Sequence, residues 1–179
     1  MSKYQAHGKN IECVRGDIAH QEGIEAVVNA ANAQLRIGGG VAGAIHRAAG
    51  PGLEEECRLL APISPGQAVI TGAHQLPNKY VIHCLGPIYG VDNPSDKLLA
   101  DTYRNALDLA EKKGIKSIAF PAISTGAFGY PFYEATEICL ETVFDRLPDL
   151  EALELIRFVL FSEQDLHIYE ELLRKYEKY

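Results

Sequence analysis

Short apolar runs alternate with longer stretches of helical spacing along most of the chain. The runs Ile11 to Val14, Ala26 to Asn29, Ala68 to Thr71, Tyr80 to Leu85, Ser117 to Pro121 and Leu153 to Phe161 predict strands. Several are continuous rather than alternating, the pattern of strands covered on both faces. Between them, Leu99, Tyr103, Ala106 and Ala110 fall on one helical face. Lys112-Lys113-Gly114 follows, supplying cations to the last turn and a glycine to end it. Ala135, Ile138, Cys139, Thr142 and Val143 mark a second helix. Leu166, Tyr169, Leu173 and Tyr176 mark a last one, with Ser162-x-x-Asp165 at its start in the pattern of a capping box. Val41 to Ala49 is also helical in spacing and is fed by a glycine run. Strands alternating with helices predict an α/β fold, a three-layer α/β/α sandwich around a mixed, largely parallel sheet of about six strands. In such sheets ligands bind beyond the carboxyl ends of the strands, where loops become helix N-termini.

Composition narrows what those loops can bind. With 179 residues, 47% of them hydrophobic, the chain can form one two-sided core and reads as a single domain, 1–179. Acidic side chains number 24 against 17 basic, a net charge of −7. That balance opposes a sequence-independent grip on nucleic acid or anionic lipid, so neither nucleic acid nor a membrane is expected as a partner. An anionic ligand would have to be held by local dipoles. Cys13, Cys57, Cys84 and Cys139 are scattered, with no Cys-x-x-Cys pair, which predicts neither a disulfide framework nor a metal site. They read as small buried hydrophobes in a reducing compartment. Met1 to Asn10 lacks the apolar run of a signal peptide, and no stretch of 18 apolar residues occurs, so the expectation is a soluble, cytoplasmic protein.

Three loops after predicted strands carry unusual residues. Gly16-Asp17-Ile18 offers an aspartate that can make an Asx turn or accept a hydrogen bond from a ligand. Asn29-Ala30-Ala31-Asn32 is followed by Gly38-Gly39-Gly40-Val41 and a helix, which suits a phosphate, although three glycines are equally a flexible loop. The spacing is that of neither the Rossmann nor the P-loop motif. The third loop, Pro121-Ala122-Ile123-Ser124-Thr125-Gly126-Ala127-Phe128-Gly129-Tyr130, combines hydroxyls, free amides and an aromatic. His46 and His83 read as structural, and no Ser-His-Asp spacing is present.

Taken in order, Gly16-Asp17-Ile18, Val27-Val28-Asn29-Ala30-Ala31-Asn32, Gly38-Gly39-Gly40-Val41-x-Gly43-Ala44-Ile45, His83-x-x-Gly86-Pro87 and Ile118 to Gly126 resemble the macrodomain family over roughly residues 11 to 175. The resemblance implies ADP-ribose as ligand, with no cofactor. Asp17 and the Ile18 backbone would hold the adenine amino group, and Phe161 would stack on the base, unless Phe161 is plain core. Gly38, Gly39, Gly40 and Val41 would line the diphosphate on one side, and Ser124, Thr125, Gly126, Ala127 and Phe128 on the other. Asn32, the candidate catalytic residue, would sit by the distal ribose, against which Phe128 packs.

Members of the family divide into binders and enzymes. The enzymes release mono-ADP-ribose from modified proteins or deacetylate O-acetyl-ADP-ribose. In the similar hydrolytic branch an aspartate follows Gly-Gly-Gly-Val, where this chain has Ala42. Members with alanine there usually carry a histidine just before the glycines, where this chain has Ile37. Asn32 favours a hydrolase or deacetylase, while Ala42 and Ile37 favour the alternative, a non-catalytic ADP-ribose-binding module. The expected partners are ADP-ribose, ADP-ribosylated protein or O-acetyl-ADP-ribose.

Overall fold

The computed structural model describes residues 1–177; residues 178 and 179, the last two of the stretch read as one domain, lie outside the described residues. Its strands are β1 (Ser2–Ala6), β2 (Lys9–Arg15), β3 (Ala26–Ala30), β4 (Ala68–Gly72), β5 (Tyr80–Cys84), β6 (Ser117–Phe120) and β7 (Leu155–Leu160). Its α-helices are α1 (Gly40–Ala49), α2 (Pro51–Arg58), α3 (Ser95–Lys112), α4 (Phe132–Arg146) and α5 (Glu163–Leu173). The strands form one mixed sheet in the order β1-β2-β7-β6-β3-β5-β4. The five inner strands are parallel, while β1 and β4 close the edges antiparallel to β2 and β5.

The sheet has seven strands among the described residues, in keeping with the expected mixed, largely parallel sheet of about six, and one more than the apolar runs predict. The added strand is β1, Ser-Lys-Tyr-Gln-Ala, which sits at an edge and buries fully only Ala6. A half-solvated edge strand needs no apolar run, so the pattern does not announce it. Helix α2 also goes unannounced. It starts at Pro51, where a missing N–H costs nothing in the first turn, and buries only Leu53 and Cys57.

The continuous apolar runs have a direct cause. Along β3, Ala26 and Val28 enter the core under α3, α4 and α5, while Val27 enters the core under α1 and α2. In β6, Ile118 and Phe120 likewise face one core and Ala119 the other. Period-two side chains with both faces covered leave few polar positions, and a polar residue there must find its partner inside the core. Two local signals also hold: Ser162 Oγ accepts from Asp165 N at 3.1 Å, and Gly114 ends α3 at φ +68°.

One polar chain crosses the smaller core. Asn29 Nδ2 lies 3.1 Å from His83 Nδ1, and His83 Nε2 lies 2.9 Å from Thr71 Oγ1. With the asparagine nitrogen donating to Nδ1, a neutral His83 carries its proton on Nε2 and donates it to Thr71. Burial above all, and then the neighbouring His46 ring, pushes the His83 pKa down to about 3. Burial lowers His46 as well, against an opposing pull from Glu54. Both rings are neutral in the fold and protonate near 6.5, the ordinary value, once the chain unfolds. The His83 contribution is complete above that value and is lost as pH falls from 6.5 toward about 3, and the His46 contribution is lost in the same direction. Urea unfolding should therefore show stability dropping over this window, by up to about 1.4 kcal/mol per pH unit from His83. A His83 resonance titrating near 6.5 in the folded protein would contradict this account.

Candidate functional site

Parallel pairing of β2, β7, β6, β3 and β5 puts all five carboxyl ends on one edge, and sheet order then sets the order of the loops. Gly16-Asp17-Ile18 and Phe161 follow the neighbouring strands β2 and β7, and Gly16 N donates to Leu160 O at 3.0 Å across that junction. Next comes the Ser124 loop after β6, then Asn32 and the glycines after β3, and last the turn after β5.

A cleft of about 340 Å³ opens between the Ser124 loop and the glycine loop. Of the residues singled out from sequence, it brings together Asn32, Gly38, Gly39, Gly40, Val41, Ser124, Gly126, Ala127 and Phe128. Asp17, Ile18, Thr125 and Phe161 are not among its lining residues. Ala42 and Gly86, read only as motif positions, do line it, as do the small residues Ala30, Ala31 and Ala122. No lining residue carries an ionisable side chain. A broader depression of about 490 Å³ lies between β4 and α3. It has no helix N-terminus, and its two ionisable lining residues, Asp108 and Lys112, are of opposite sign.

The cleft offers main-chain donors. Helix α1 begins at Gly40 with no side-chain cap and no acid in its first turn, and its first ladder bond is Gly43 N to Gly39 O at 3.2 Å. The N–H groups of Gly40, Val41 and Ala42 thus have no partner within the helix, and the dipole adds positive potential there. Gly40 is the one member of the triplet at positive φ, +54°, which only glycine adopts without strain. Across the cleft, Ser124 O accepts from Tyr130 N at 2.9 Å and Gly126 O from Gly129 N at 3.0 Å. These bonds close the loop while leaving the amides of Gly126, Ala127 and Phe128 unpartnered among the described residues. Ser124 sits at φ +68°, and its buried hydroxyl has no partner among the described residues either.

Asn32 is held by the loop that follows it. Its Nδ2 donates to Arg36 O at 2.8 Å and its Oδ1 accepts from Arg36 N at 3.0 Å. One amide hydrogen and one lone pair remain for a ligand or a water. Asp17 forms the Asx turn foreseen from sequence, accepting from Ala19 N at 2.9 Å, and its other oxygen lies 3.0 Å from His20 Nδ1. Phe161 is not core: β7 ends at Leu160, and the ring beyond it is 90% exposed.

The family model of the Macro domain matches residues 28–139, which include both cleft loops. The chain belongs to the macrodomain family. It is 48% identical over 170 residues to an O-acetyl-ADP-ribose deacetylase of Klebsiella pneumoniae, covering 92% of this chain and 97% of that one. A macrodomain of Oceanobacillus iheyensis, solved as a variant with ADP-ribose, superposes with a TM-score of 0.94 at 41% identity over 99% of both chains. A macrodomain of Trypanosoma brucei in complex with ADP-ribose has a TM-score of 0.85 at 38% identity, covering 91% of this chain and 68% of that one.

Two glycines with no assigned role fix the shape of this macrodomain's cleft. A Cβ on Gly43 would stand 2.4 Å from Gly38 O, so α1 can carry no side chain where the glycine loop folds back on it. A Cβ on Gly86 would stand 2.2 Å from Ser124 Oγ and 2.6 Å from Ile123 Cγ2. The motif spacing contained both residues, but nothing in it indicated what they would touch. Gly39, by contrast, has open space around it and an ordinary φ of −84°. Gly86→Ala should therefore cost about 1–3 kcal/mol through overpacking, while Gly39→Ala should stay within about 0.5 kcal/mol of the parent. Equal losses in urea unfolding would mean that this packing does not shape the loops.

Proposed function

We propose that this macrodomain, acting as one domain over residues 1–179, binds ADP-ribose and hydrolyses acyl groups from its distal ribose, with O-acetyl-ADP-ribose and carboxylate-linked mono-ADP-ribosyl proteins as substrates. The observation that carries the reading is a pair of loops aiming free amides into one cleft without a charged side chain. Oriented N–H groups let an acidic protein hold a dianion in a cleft that has no charged side chain. The relatives named O-acetyl-ADP-ribose deacetylase and those solved with ADP-ribose support the same ligand. The four free cysteines suit a cytoplasmic setting.

In this reading the adenine lies at Asp17 and Phe161, the diphosphate between the glycine and Ser124 loops, and the distal ribose at Asn32 and Phe128. The free half of the Asn32 amide orients a water toward the acyl carbon, and a substrate phosphate oxygen takes its proton. Water adds its hydroxyl to the acyl carbon, the ester C–O bond breaks, and the ribose hydroxyl leaves with a proton. Positioning and fixed dipoles supply the rate enhancement. One observation favours the alternative of a binding module without turnover: buried Ala42 lines the cleft, and no carboxylate or imidazole stands there to activate the water.

Acetate release from O-acetyl-ADP-ribose and ADP-ribose release from a glutamate-modified protein, followed over time, decide between the two readings. Asn32→Ala should slow both reactions at least tenfold with ligand binding retained. No turnover alongside tight ADP-ribose binding would establish the binding module.

Calorimetry should rank ADP-ribose above ADP and ADP above AMP. Asp17→Ala should weaken ADP-ribose by about 1.5–3 kcal/mol, the worth of one charged hydrogen bond. Equal affinities for AMP and ADP-ribose would remove the two loops from the site.

Ala42→Asp should raise the hydrolytic rate by about 10²-fold, the lower range for a positioned acid–base group. The new carboxylate should also weaken ADP-ribose binding by repelling the diphosphate. Adding Asn32→Ala should abolish the gain, since both side chains would serve one water. A folded, ligand-binding Ala42→Asp protein with an unchanged rate would place residue 42 away from the reacting ribose.

A further inference from the structure

We propose that the turn at residues 88–92 is a docking knob for the polypeptide that carries the ADP-ribose, taking an apolar side chain adjacent to the modified residue. The inference rests on the functional reading above and names a substrate class for that site. The turn presents three large apolar residues to solvent: Ile88 is 38% exposed, Tyr89 46% and Val91 68%.

The exposure is built in by the backbone. Val91 N and Asp92 N both donate to Ile88 O, at 3.1 and 2.9 Å, and Ile88 N donates to Asp92 Oδ2 at 2.8 Å. Gly90 supplies the positive φ, +79°, that closes the turn. These bonds fix the backbone of the turn with Val91 standing out and Ile88 and Tyr89 each partly exposed. Three exposed apolar side chains within four residues of one turn are more than the scattered single ones of an ordinary surface and suit a contact.

Position on the sheet edge identifies the contact. The turn follows β5, whereas Asp17 and Phe161 follow β2 and β7 at the other end of the same row. Tyr89 N donates to Phe128 O at 2.9 Å, and the Tyr89 ring packs on Tyr130 with centroids 4.8 Å apart. The turn therefore adjoins the cleft wall at Phe128, which the functional reading above gives to the distal ribose. Whatever is attached to that ribose leaves the cleft beside this turn. An acetyl group is too small to cover Ile88 and Val91, but a polypeptide can.

The test uses two peptides carrying ADP-ribose through a hydrolysis-resistant linkage, one with leucine beside the linkage and one with serine, together with free ADP-ribose. The parent should bind the leucine peptide about tenfold tighter than the serine peptide. Ile88→Ser and Val91→Ser, both at exposed positions, should bring the two peptides within about twofold of each other and leave free ADP-ribose binding unchanged. Equal binding of the two peptides by the parent overturns the proposal, as does a parallel loss for free ADP-ribose in the variants. A parent dimer in sedimentation that Val91→Ser dissolves would assign the knob to a second copy and also overturn it. A parent that fails to bind free ADP-ribose would instead overturn the functional reading beneath it.

Discussion

Parallel hydrogen bonding of β2, β7, β6, β3 and β5 is the constraint on which the other features depend. It sends five strand ends to one edge, so loops separated by more than a hundred residues become neighbours. Asp17 and Phe161, the Ser124 loop, the glycine loop and the 88–92 turn stand in a row because their strands do. Each strand also presents alternate side chains to two cores, which keeps the row rigid. The row is long enough to read an extended ligand from one end to the other, and the order of its stations follows from β-strand pairing alone.

The electrostatics follow from that arrangement. A chain with net charge −7 cannot attract a dianion by its overall field. Its cleft has no ionisable side chain and relies on the uncapped start of α1 and the open amides of the Ser124 loop. These dipoles are fixed by the fold and need little reorganisation when charge arrives. They work only if the two loops approach closely, which Gly43 and Gly86 permit by leaving room for Gly38 O and Ser124 Oγ. The same economy limits chemistry: with Ala42 in the wall, the cleft holds no carboxylate or imidazole that could activate a water.

The candidate residues differ in how legible their surroundings are from the sequence. The glycine triplet and the Ser-Thr-Gly loop were visible because local backbone freedom is written in residue type. Asp17 was ambiguous in sequence between a local turn and a ligand acceptor, and the structure shows the turn already made, with the carboxylate still exposed. Phe161 looked like the end of a buried strand, yet its strand stops one residue earlier and the ring stands in solvent. Strand β1 was missed for the complementary reason, since an edge strand half in water can be polar.

By itself, the sequence determined the alternation of strands and helices, the doubly covered sheet, the cap at Ser162, the stop at Gly114 and the loops able to hold a phosphate. Those features depend on residue spacing and on contacts between near neighbours in the chain. Only the tertiary structure decided that Gly86 meets Ser124, that Tyr89 bonds to Phe128, that Phe161 faces water and that Ile88 and Val91 crown a rigid turn. Each of these depends on which distant strands pair and in what register. Pairing is set by the packing of the whole sheet against both helical layers, and no local stretch of sequence encodes it.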